Sequence, residues 1–109
     1  MDGKTNILDV IPHLEDDITM TTRNGNTVLS FLSFRRRSLP LLRMLSKRTE
    51  LELDAIGSAA VMLIDGDKDV RTIIEGLKET FADEKQLDER TIMFLTELKR
   101  RKIIKYLAQ

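Results

Sequence analysis

A chain of 109 residues is the size of one domain, and 41% hydrophobic with 33% charged residues supplies apolar material for one modest core. Its 18 basic and 18 acidic side chains cancel, so any attraction to nucleic acid or membrane must come from a local patch. The absence of cysteine excludes disulfides, thiolate catalysis and thiolate metal sites. No apolar run approaches the ~20 residues that span a bilayer, and the opening "MDGKTNILDV" lacks the pattern of a secretory signal, so a single cytoplasmic domain over residues 1–109 is expected.

Residues 1–16 carry one apolar cluster, "ILDVIP", and read as an extended arm. Ile18 and Met20 alternate with Thr19 and Thr21 at the period of a strand. Asn24-Gly25 follows, a pair that tolerates the positive φ of a type I′ hairpin turn, and the β-branched and aromatic stretch Thr27 to Phe34 is the expected return strand. Residues 35–48, "RRRSLPLLRMLSKR", hold six basic side chains and no acidic one. They read either as a short helix with Pro40 in its first turn or as a basic loop lying over the sheet, with an anionic membrane or an acidic partner protein as a further reading.

Thr49 to Leu53 returns to alternation, with Leu51 and Leu53 on one face and Glu50 and Glu52 on the other. Asp54 is a good N-cap for a helix from Ala55 to about Ile64, stopped by Gly66. Gly57 inside it costs about 1 kcal/mol relative to Ala, a loss that makes sense where another backbone passes close by. Asp69 caps a second helix, Val70 to Phe81, with a one-sided stripe of Val70, Ile73, Ile74, Leu77 and Phe81. In a third helix Leu87, Thr91, Phe94 and Leu98 form the expected core line, which leaves Ile92 and Leu95 with Lys99 on a flank. That flank is either wedged between two layers or lines a binding groove. The end, "RRKIIKYLAQ", reads as a short strand or a final turn.

Three strands followed by three helices fit an α+β fold of winged helix-turn-helix type, a three-stranded antiparallel sheet plus three helices. Catalytic chemistry finds little purchase. His13 is the only histidine, and the carboxylates are explained by caps and solvated faces. "DGDKD", residues 65–69, lacks the spacing of a calcium loop, and Gly57, Gly66 and Gly76 match no nucleotide motif. A non-enzymatic binding protein with no cofactor and no metal is expected.

The ordered motifs Leu53-Asp54, Gly57-Ser58, Leu63-Ile64-Asp65-Gly66, Val70 with Ile73 and Ile74, and Phe94-Leu95 with Leu98 resemble the PqqD family, as does the head "NILDVIP". The chain departs from that pattern at Val61, where an aromatic is usual, at Asp69, where Thr is common, and at Lys102, where Gly often ends the third helix. The resemblance implies a winged-helix-like recognition element for precursor peptides. Such a chaperone holds the leader of a ribosomally made peptide and presents it to a radical SAM or other modifying enzyme, as in pyrroloquinoline quinone (PQQ) biosynthesis. It further implies that the leader adds a strand to the third strand and rests on the third helix. Carried onto this sequence, the peptide-binding residues are Glu50, Leu51, Glu52 and Leu53 with Ile92, Leu95, Thr96 and Lys99.

An edge strand at 49–53 would template an incoming chain through its unpaired N–H and C=O groups, while Glu50 and Glu52 guard it against self-pairing. An unoccupied edge also allows a homodimer. The alternative is a winged-helix nucleic-acid-binding or transcription-associated protein using Lys99-Arg100-Arg101-Lys102, which zero net charge and the neighbouring Glu97 disfavour.

Overall fold

The structure, a computed structural model, describes residues 6–32 and 48–107. The expectations for 35–47, and for the last two residues of the return strand, lie outside the described residues; Arg48, the end of the basic run, opens a strand. In chain order, a 3-10 turn at Ile7–Asp9 leads into β1 (Ile11–Leu14), then β2 (Thr19–Arg23), β3 (Asn26–Leu32) and β4 (Arg48–Glu52). Helices α1 (Ala55–Met62), α2 (Val70–Thr80) and α3 (Leu87–Arg100) follow, and β5 (Ile104–Leu107) closes the order.

The fold is α+β, with three helices and antiparallel sheets of two strands, β1-β5, and three strands, β2-β3-β4. One three-stranded sheet was expected; the second sheet is the correction. The extended arm becomes β1 because Ile11 to Leu14 pairs with Leu107 to Ile104, and the chain's two ends are thereby joined. Val10 adds a tie by accepting a hydrogen bond from the Val70 N–H at 3.0 Å, at the start of α2.

Local chemistry sets most boundaries. Asn24 (φ 53°) and Gly25 (φ 85°) both take the left-handed conformation of a type I′ turn, which joins β2 to β3. The Asp54 carboxylate accepts a hydrogen bond from Gly57 N–H, and that of Asp69 accepts one from Thr72 N–H, each at 2.8 Å, so both helices are N-capped as their sequences suggest. At the far end of α3, Lys102 N–H bonds the Lys99 carbonyl (3.0 Å) and Ile103 N–H the Leu98 carbonyl (2.9 Å). This is a Schellman closure with Lys102 at its left-handed position (φ 63°) and Ile103 packed in the core beyond it.

The core is built from Leu29 and Phe31 of β3, Leu53, one face of each helix, and Ile103 with Ile104. α2 presents Val70, Ile73, Ile74 and Leu77 to it, as its stripe implies; Phe81, the last member, is half-buried. β2 departs from its alternating pattern: every residue is exposed, Met20 by 41%.

Candidate functional site

Among the described residues β4 is an end strand that pairs only with β3, in the register Val28↔Glu52, Leu29↔Leu51, Ser30↔Glu50, Phe31↔Thr49 and Leu32↔Arg48. Leu53 N–H bonds the Thr27 carbonyl at 2.9 Å. Hydrogen-bonded pairs alternate along an antiparallel ladder, so Leu53, Leu51 and Thr49 turn their backbone groups toward β3. Glu52, Glu50 and Arg48 turn theirs to the free edge.

Side chains alternate as well. Leu51 lies over the core-facing side with Leu29, whereas Arg48, Glu50 and Glu52 stand on the outer face. There Glu50 accepts from Arg23 of β2 at 2.9 Å, and Glu52 from the Asn26 amide at 3.1 Å. Arg23 is held above the ordinary guanidinium range chiefly by its hydrogen bond to Glu50, with attraction to Glu50 and Glu52 adding to the effect. Arg48 instead donates to two neutral hydroxyls, Ser30 Oγ and Thr19 Oγ1, both at 2.8 Å.

The edge runs into α1, where a cleft of about 90 Å³ opens between α1 and α3. Its walls are Asp54, Ile56, Gly57 and Ala60 on one side and Arg90, Thr91 and Phe94 on the other. Gly57 makes the cleft possible: a Cβ there would stand 3.2 Å from Asp54 Oδ1, 3.3 Å from Leu53 Cβ and 3.4 Å from Phe94 Cε1. The close neighbour is thus an aromatic ring and two flanking side chains, in place of the passing backbone expected. Arg90 is steadied by Glu84 at 2.8 Å.

The structure distributes the sequence-derived site over the β4 edge, the core and the side of α3 that faces β5. Glu50, Leu51, Glu52 and Leu53 lie along the β4 edge and at its end. Leu95 is fully buried and belongs to the core with Leu87, Thr91 and Leu98, so it is no groove wall. Thr96 and Lys99 face β5: Thr96 stands at the Tyr106 hydroxyl, and Lys99 Nζ lies 5.6 Å from the Tyr106 ring centre. Burial pushes the Tyr106 phenol above its ordinary value. Ile92, half-buried, shares their row at i, i+4 and i+7 spacing.

The flank of α3 that meets the end of β4 carries Phe94, expected on the core line, and Arg90, for which the sequence suggests no role. One signal pointed there. Gly57 and Ala60 leave a shallow face on α1, and Phe94, the one aromatic side chain of α3, stands against it. Further along, Glu97 is clamped by Arg100 at 2.5 Å and Arg101 at 2.7 Å, which draws its carboxyl down to about 2. The Asp65 carboxyl is likewise held well below its usual range, first by Lys68 and then by the backbone N–H groups of Asp67 and Lys68.

The described residues form an α+β frame of three helices with an end strand and an adjoining cleft. The family model described as coenzyme PQQ synthesis protein D (PqqD) matches residues 43–104, more than half of the chain and the whole run from β4 through α3. The chain belongs to the PqqD family, and that membership ties it to coenzyme PQQ synthesis. No curated protein and no solved structure matches it. Among the described residues, no helix is long and apolar enough to cross a membrane.

Proposed function

We propose that this chain is a non-catalytic peptide chaperone of PQQ-type biosynthesis, one winged-helix-like recognition domain. It takes the leader of a ribosomally made precursor peptide as an added strand on β4 and presents it to a modifying enzyme, a radical SAM enzyme in the PQQ case. The observation that carries the reading is the end position of β4, with the backbone groups of Glu50 and Glu52 directed outward. Each backbone hydrogen bond gained there contributes about 0.5–1.5 kcal/mol net. Apolar leader residues on the inner face pack against Leu51 and reach the cleft at Phe94, which takes the place of Leu95 as the helical wall. The nucleic-acid alternative is disfavoured because Glu97 occupies two of the four cations of the basic run and Lys99 lies over Tyr106.

The test is an amide-shift titration of the isotopically labelled chain with precursor peptides encoded beside its gene. Shifts gathered at 48–54 and around Arg90 and Phe94 are expected. Shifts confined to the β5 side of α3, or steeply salt-dependent binding to arbitrary duplex DNA with no peptide response, would reject the reading.

A further inference from the structure

Strand addition says how a peptide docks; the charges on the outer face of β4 say which peptide. This inference rests on the docking mode proposed above. Glu50 pairs with the Arg23 guanidinium, whereas Glu52 is bonded by the uncharged Asn26 amide, so this end of the strand keeps a net negative charge. Four residues earlier, Arg48 is satisfied by two uncharged hydroxyls and keeps its full positive charge. The free edge is therefore polarised along its length, positive at Arg48 and negative at Glu52. All three side chains stand on the same face at alternate positions.

An added antiparallel strand places residues directly opposite Glu52, Glu50 and Arg48 at positions k, k+2 and k+4, with their side chains on that same outer face. Positions k+1 and k+3 fall opposite Leu51 and Thr49 and point inward. We propose that β4 selects an antiparallel segment with Lys or Arg at k, a polar residue at k+2, Asp or Glu at k+4, and apolar residues at k+1 and k+3. The opposite charges favour one register, because a two-residue slip in one direction sets the peptide carboxylate against Glu50 and in the other direction carries it past Arg48 and loses that pair. They also fix the direction, because reversing the segment exchanges its charged ends.

The probes are twelve-residue synthetic peptides centred on Lys-Val-Thr-Val-Glu and on its uncharged counterpart Thr-Val-Thr-Val-Thr, titrated into the full chain at low salt. The charged peptide is expected to bind about fivefold more tightly, the effect of two cross-strand ion pairs. The preference should shrink as salt is raised and vanish in the Arg48→Gln, Glu52→Gln double variant. Equal affinity for the two peptides, a salt-independent preference, or an undiminished preference in the double variant overturns the charge code and leaves strand addition standing. Failure of both peptides to perturb residues 48–53 of the unaltered chain overturns the two together. The salt series on the unaltered chain decides the matter even if the double variant does not fold.

Discussion

Lys102 shows what one residue can hold in place. It occupies the left-handed position of the Schellman closure at φ 63°, where a Cβ is disfavoured and glycine is at ease. The closure is needed there because the chain must leave α3, bury Ile103 and enter β5 within three residues. Lys102→Gly is expected to stabilise the protein by about 1 kcal/mol, read as a Tm higher by a few degrees, with its near-ultraviolet spectrum unchanged. A lower Tm would mean that contacts of the lysine side chain outweigh its backbone cost. The departure from the family's usual glycine was visible in the sequence. The left-handed geometry was not, because Lys alone gives no such signal.

At the scale of elements, the meeting of α1 with α3 is the junction on which the site depends. The two helical glycines separate its packing from helix propensity. Gly57 is hemmed in by Asp54 Oδ1, which is committed to the cap, by Leu53 Cβ and by the Phe94 ring. Gly76 faces only the end of the Leu63 side chain, with Cδ1 3.1 Å from a would-be Cβ, and that end can rotate away. Either change to alanine gains about 1 kcal/mol of helix propensity. In urea melts Gly76→Ala should therefore match or exceed the unaltered protein, whereas Gly57→Ala should lose about 1 kcal/mol net and weaken peptide binding by displacing Phe94. A Gly57→Ala protein of raised stability and unaltered affinity would show that the close approach does not matter.

The same junction marks where sequence reasoning stopped. Signals that act within a few residues were legible: Asn24-Gly25 set the hairpin, Asp54 and Asp69 set the helix starts, and the stripe of α2 found its face. Phe94 and Leu95 are adjacent and both apolar, so periodicity alone leaves the rotation of α3 ambiguous: Leu95 is fully buried, and Phe94, half-buried, packs against the core from the α1 side. What decides it is the shallow face offered by Gly57 and Ala60, a partner far away along the chain. The pairing of β1 with β5 was illegible for a similar reason, since neither short segment carries a mark of the other. The β4 half of the site was readable because alternation puts Leu51 inward and Glu50 and Glu52 outward wherever the strand is placed.

For the whole molecule, the described structure sets a sheet with open ends beside a helical layer. The proposed docking mode requires β4 to be vacant in the free chain and filled in the bound one. Hydrogen exchange reads that directly, amide by amide. The inward amides of Leu51 and Leu53 should exchange slowly in the free chain and when peptide is bound, because they bond β3 in both states. The outward amides of Glu50 and Glu52 should exchange rapidly in the free chain and become protected, by about tenfold or more, when a precursor peptide saturates the site. Fast exchange in the absence of peptide and protection confined to these alternate positions in its presence is the predicted result. Slow exchange at Glu50 and Glu52 before any peptide is added, or binding that leaves both amides unprotected, would contradict it.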